Sequence, residues 1–163
     1  MAKNKEEKTN VMRVLEQKKI AYTAHTYPHE EGVAVDGVTV AQSMGFDPAA
    51  VFKTLVARGA SKQYYVFDVP VAENLDLKKA AKAVGEKSIE MLHQKELLPL
   101  TGYVHGGCSP VGMKKLFPTV IDASAEDLST MIVSAGKIGY QVELSPRDLA
   151  ALVRAKFADL IAE

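Results

Sequence analysis

A single cysteine, Cys108, is the chain's whole stock of thiols, so no internal disulfide can form and a reducing, cytoplasmic setting is the natural expectation. Net charge is missing as well: 20 Lys and Arg balance 20 Asp and Glu. That excludes the broad positive field with which nucleic-acid binders commonly neutralise phosphates, so any RNA contact must be local or helped by a partner. No window approaches the roughly 18 apolar residues of a spanning helix, and the opening MAKNKEEKTN lacks the apolar region of a signal peptide. No membrane association is expected. Repeats and low-complexity linkers are absent too, and 47% hydrophobic against 25% charged residues is enough for a sizeable core. Residues 1–163 therefore read as one domain.

What is present is an irregular mixture of helical and extended signals. Residues 8–19 place Val11, Val14 and Leu15 at helical spacing behind Thr9 or Asn10 as N-cap. IAYTAHTYP reads as a strand ending at a proline, and Thr39 as the cap of a brief helix closed by Gly45. VFKTLVARG and QYYVFDVPV, separated by a short turn, predict an antiparallel hairpin. LDLKKAAKAVG is a helix from Asp76 to Gly85, SIEM a strand, and HQKELL a helix ending before Pro99. TVIDAS, TMIVSAG and YQVELS are strands, with a helical turn at AEDL, and Ser145-Pro146 opens a final helix over 146–163. The class is α+β, with six or seven short strands able to curl into a mixed-sheet, barrel-like core flanked by helices.

Chemistry concentrates in two places. Lys53 lies in VFKTLV, where apolar side chains occupy both faces of the predicted strand. It either snorkels to water along its own stem or points into a pocket toward an anionic or carbonyl oxygen. TGYVHGGCSPVGMKK, residues 101–115, holds four of the 11 glycines, Gly102, Gly106, Gly107 and Gly112. Such bare backbone suits a loop whose N–H groups approach developing negative charge, a nucleophilic site pairing Cys108 with His105, or a crowded turn around a buried cysteine. His25 and His29 are four apart but flank Pro28, which breaks the helical face a metal pair needs, and no acidic or second cysteine ligand completes a zinc site. GYVHGG and SAGKIG match neither a dinucleotide fingerprint nor a P-loop. No metal and no cofactor are expected.

Taken together, K-T-N-x-M near the start, HTY at 25–27, DG at 36–37, VFKTLV at 51–56, LDLKKAAKAVG at 75–85, TGYVHGGCSPVGMKK at 101–115 and VSAGKIG at 133–139 resemble the YbaK/EbsC family. These are free-standing bacterial editing proteins that hydrolyse Cys-tRNA(Pro), related to the editing domain inserted in bacterial prolyl-tRNA synthetases. The resemblance spans nearly the whole chain. It implies that Lys53 is the functional lysine of the pocket, with Gly106 and Gly107 leaving room for the ester carbonyl and donating to it. It also implies that Tyr27, Thr54, Ser134 and Gly136 contact substrate. Asp36 falls where relatives often carry phenylalanine and bears on side-chain discrimination; Lys137-Ile138-Gly139 departs from a common KRG.

The implied reaction is deacylation of Cys-tRNA(Pro), with the substrate's own thiol attacking its carbonyl to release a cyclic thioester. Cys108 is then packing. The implied partners are Cys-tRNA(Pro) and prolyl-tRNA synthetase, the latter supplying much of the tRNA identity, with Lys78, Lys79, Lys82, Lys114, Lys115 and Lys137 as a candidate basic rim. A deacylase for another small amino acid such as alanine on tRNA(Pro), a non-catalytic tRNA- or synthetase-binding module, and a thiol enzyme using Cys108 are the competing expectations.

Overall fold

A computed structural model describes residues 8–163. The first helix, α1 (Asn10–Gln17), is capped by Thr9, whose hydroxyl accepts from Met12 N–H, and buries Val11, Met12 and Leu15. After β1 (Tyr22–Thr26) and a long loop comes α2 (Gly37–Met44). Its cap is Asp36 and not Thr39: the Asp36 carboxylate accepts from both the N–H and the hydroxyl of Thr39, so the helix starts before the expected residue. Gly45 ends it with a left-handed φ of 77°, a conformation glycine adopts without steric cost. Asp47 then caps a 3₁₀ turn at Pro48–Ala50.

The hairpin forms as expected from β2 (Phe52–Gly59) and β3 (Tyr64–Pro70), pairing Lys53 with Val69 and Thr54 with Asp68. Strand alternation sorts their side chains onto two cores. Val56 and Val66 join the larger cluster with α1 and the glycine-rich segment, while Ala57, Phe67 and Val69 pack on α3 (Leu77–Val84). Asp76 caps α3 through two N–H groups and Gly85 closes it. β4 (Ile89–Met91) pairs only with Ala57–Gly59, leaving the first half of β2 uncovered on that side.

Two further expected boundaries are corrected. The helix expected to end before Pro99 runs through it as α4 (Gln94–Thr101), closing at Gly102. Proline removes one ladder bond, but Thr101 Oγ1 still donates to Leu97 O and Gly102 N–H to Leu98 O, so the turn survives. The chain continues as β5 (Thr119–Asp122), a 3₁₀ turn, β6 (Met131–Ser134), β7 (Tyr140–Leu144) and α5 (Pro146–Val153). The helix expected over 146–163 stops at Arg154, whose φ is 58°, and Lys156–Ala158 becomes β8, parallel to β5. Sheet pairing outcompetes helical periodicity here because it buries Leu160 fully and lets Leu160 N–H donate to the buried Asp122 carboxylate.

Among the described residues there are eight strands, not the expected six or seven, because β8 replaces the end of the expected final helix; they form a three-stranded antiparallel sheet, β1-β7-β6, and a five-stranded mixed sheet, β4-β2-β3-β5-β8. The ladders touch through one parallel bridge between Val51 and Ile132, beside the uncovered half of β2. Among the described residues no helix is long and apolar enough to cross a membrane.

Candidate active site

A cleft of about 220 Å³ opens where the two sheets meet. Lys53 and Thr54 enter it from the uncovered start of β2, Ser134 from the end of β6, and Gln141 from β7. Tyr27 and Asp36 line it from the segments before α2, and His105, Gly106 and Cys108 from the glycine-rich loop. Of the residues expected at a site, the structure thus brings together Lys53, Thr54, Tyr27, Asp36, Ser134 and Gly106. Gly107 and Gly136 lie outside the lining.

Lys53 is half-buried with no carboxylate at salt-bridge distance among the described residues. Burial lowers its pKa, partly opposed by the charge of Glu73. An ammonium left without a partner in a cleft is poised to receive an anionic or carbonyl oxygen. Thr54 Oγ1 donates to Asp68 Oδ1 at 2.5 Å. Asp68 itself is 0% exposed, and burial pushes its carboxyl up to about 7 against the opposing bond from Thr54.

The glycines divide by role. Gly106 has φ +89°, and a Cβ there would lie 2.7 Å from Ala34 Cβ, so only glycine lets the loop close on the cleft. Gly107 N–H donates to Val104 O within a turn, and a Cβ on it would press on the backbone of Lys137 and Ile138. Gly136 N–H donates to Ser134 Oγ, fixing that hydroxyl, and a Cβ on Gly136 would press on Tyr103 at 2.9 Å and Val11 at 3.1 Å. The Asp36 carboxylate is occupied as the α2 cap, which lowers its pKa.

Cys108 is buried, and burial together with nearby Asp68 pushes its thiol up to about 12. A thiol held protonated is a poor nucleophile, which weighs against the reading in which Cys108 attacks. The six lysines suggested as a basic rim all lie outside the cleft lining. Lys79 is held by Asp159 and Ile161 O, Lys114 by Pro99 O, and Lys115 and Lys137 sit over the rings of Phe117 and Tyr140.

Two residues at the site went unnoticed in the sequence. Gln141 is 7% exposed, and neither its Oε1 nor Asp68 Oδ2 has a hydrogen-bond partner among the described residues. The acid in the apolar run YYVFDVPV was a usable signal, since a buried lone carboxylate is costly. For Gln141 the strand alternation of YQVEL pointed only to a polar face, and no sequence rule said which.

Residues 32–152 match the family model for an aminoacyl-tRNA editing domain. A protein of Enterococcus faecalis named as a candidate Cys-tRNA(Pro)/Cys-tRNA(Cys) deacylase, EbsC, is 45% identical over 161 residues, which is 98% of each chain. A crystal structure of a candidate trans-editing enzyme for prolyl tRNA synthetase superposes with a TM-score of 0.79 at 26% identity, covering 94% of this chain and 95% of that one. A crystal structure described only as a hypothetical protein shares the fold with a TM-score of 0.82 at 20% identity, over 93% and 99% of the two chains.

Proposed function

Since the chain belongs to the aminoacyl-tRNA editing domain family, we propose that its cleft removes cysteine from mischarged Cys-tRNA(Pro), acting in trans as a single editing domain. The relative named for Cys-tRNA deacylation is similar from end to end, which supports carrying the activity over. The observation that carries the assignment to this site is Lys53: a half-buried ammonium with no ion-pair partner among the described residues, in a cleft whose other lining is apolar or polar side chains, His105 and the capping Asp36. We read the two sheets as halves of a barrel-like core closing around that cleft, supported by the bridge between Val51 and Ile132.

The need for a second site follows from physical limits on selection. A pocket for proline rejects a near-isostere poorly, because one methylene is worth only about 1–3 kcal/mol. The ester is already activated, so positioning and charge stabilisation do most of the work. The substrate thiol attacks its own ester carbonyl, a C–S bond forms, and the C–O bond to the terminal ribose breaks. The ribose oxygen takes the proton that the thiol gives up, and water then opens the released cyclic thioester. Lys53 holds oxygens of the terminal nucleotide and orients the ester. Gly106 leaves room for the carbonyl, while Tyr27 and Ser134 shape the wall against the aminoacyl group. Asp36, bound to Thr39, acts on side-chain selection through the position of α2. Gly107 and Gly136 support the site by setting the loop and the Ser134 hydroxyl. Prolyl-tRNA synthetase is the partner that presents the tRNA.

The test is deacylation of Cys-tRNA(Pro) by the wild type and by Lys53→Ala, with Ala-tRNA(Pro) as the thiol-free control and circular dichroism to verify folding. Loss of cysteine, retention of alanine and a folded variant slower by about 100-fold or more are expected. Equal cleavage of both esters refutes thiol assistance, and no cleavage of either refutes the enzyme reading.

A further inference from the structure

Asp68 is a buried acid for which neither the fold nor the proposed reaction has accounted. Asp122, the other buried aspartate, is satisfied by the N–H groups of Ser124 and Leu160. Among the described residues Asp68 accepts one hydrogen bond, from Thr54, and its Oδ2 has no partner. An apolar side chain would fill this place at less cost, so the acid needs a reason.

Its position supplies one. In the β2–β3 register Thr54 stands directly opposite Asp68, and Thr54 lines the cleft while Asp68 does not. The hydroxyl of Thr54 has a single proton and gives it to Asp68. With that proton given away, the Thr54 hydroxyl can serve a ligand only as an acceptor, backed by a carboxyl group. Lys53, one residue earlier and on the opposite side of the strand, lines the same cleft with a cationic group. The cleft thus has a donor side and an acceptor side. An aminoacyl ester carries the matching features: phosphate oxygens beyond the ribose, and a cationic α-ammonium next to the scissile carbonyl. The thiol and the ribose hydroxyls are neutral, so the ammonium is the donor that gains most from an acid-backed acceptor.

We propose that Thr54 and Asp68 form the subsite for the α-ammonium group of the aminoacyl ester, with Asp68 the positioning residue that holds the Thr54 hydroxyl as an acceptor. The inference rests on the editing reading and adds to it a residue and a recognised group. Around the carboxyl, β2 contributes Thr54, the glycine-rich loop contributes Cys108 with its protonated thiol, and β5 sets apolar Ile121 alongside. With its pKa near 7, Asp68 gains charge as pH rises through neutrality. Affinity for the ammonium therefore rises as Asp68 ionises and falls again as the α-amino group loses its proton at about 7.7–8.0 or below, giving an optimum near neutrality.

The experiment compares Cys-tRNA(Pro) with the ester of 2-hydroxy-3-mercaptopropionate on the same tRNA, which keeps the thiol and the size but replaces the ammonium by a hydroxyl. The wild type is expected to prefer the cysteinyl ester by about 10- to 100-fold in kcat/KM, expressed mainly in KM. Asp68→Val is expected to bring that ratio close to one, and Asp68→Val with Thr54→Val to be no worse than Thr54→Val alone. Asp68→Asn keeps the shape of the side chain and is expected to remove the tightening of KM as pH rises toward neutrality, leaving the weakening that follows the substrate's own α-amino group losing its proton at about pH 7.7–8.0 or below, which serves if Asp68→Val fails to fold. A wild type that cleaves both esters equally, or an Asp68 variant that keeps the wild-type preference, overturns the subsite alone. A wild type inactive on both overturns the editing reading and the subsite together.

Discussion

Replacing Asp68 by Asn should change how stability depends on pH more than it changes stability at any one pH. The folded-state pKa of Asp68 is raised from the ordinary 3.8 to about 7 by burial. A raised carboxyl pKa means that the folded protein holds a proton the unfolded chain has released, so its contribution is fully present below 3.8 and is lost as pH rises through about 7. At roughly 1.4 kcal/mol per pH unit the whole interval amounts to about 4 kcal/mol, of which about 3 kcal/mol falls between roughly pH 5 and pH 8. Asparagine keeps an acceptor for the Thr54 hydroxyl and does not titrate. The assay is urea unfolding of wild type and Asp68→Asn at several pH values across that range. The difference between the two curves isolates Asp68, because histidine pairs such as His25 with Glu143 are common to both. The variant should gain about 3 kcal/mol on the wild type over the interval, roughly 6–12 °C in Tm for a domain of this size. Parallel curves would refute the reasoning, for the carboxyl would then carry the same charge folded and unfolded.

Four further outcomes follow from the site. Cys108→Ala should deacylate at close to the wild-type rate, since its thiol is pushed up to about 12; abolished activity in a folded variant would restore the thiol-enzyme reading. The alkaline limb of the rate profile should fall below the ordinary lysine value of 10.5, because burial lowers the pKa of Lys53 and its charge is lost as pH rises, and Lys53→Arg should move that limb upward. Gly106→Ala should lose roughly 1–3 kcal/mol in chemical denaturation, as its φ of +89° and the Ala34 side chain leave no comfortable place for a Cβ. Asp36→Ala should cost about 1 kcal/mol through the lost cap, and the ratio of Cys-tRNA(Pro) to Ala-tRNA(Pro) cleavage will show whether the position of α2 governs side-chain choice.

Local chemistry made much of the fold legible. The hairpin of β2 and β3, the Asp76 and Ser145 caps and the Gly45 and Gly85 stops depend on residues close in sequence, and all stand where local rules place them. The ordered motifs around Lys53 and Gly106 were enough to indicate the editing family. Two failures were local, the cap at Asp36 and the helix through Pro99; the others were contests between local preference and distant burial. The helical period after Arg154 yielded to a parallel strand because β5 offers a ladder, and the buried Asp122 offers an acceptor that no nearby residue supplies. The joining of β6 to the start of β2, and with it the cleft, depends on a pairing between Val51 and Ile132 that no local pattern records. The same holds for polarity: strand alternation placed Lys53 and Thr54 on opposite sides, but only the packed sheet put a buried carboxyl behind Thr54 and left the ammonium of Lys53 without an ion-pair partner among the described residues. Propensities and caps act within a few residues, whereas burial and charge compensation are decided by neighbours that only tertiary structure brings together.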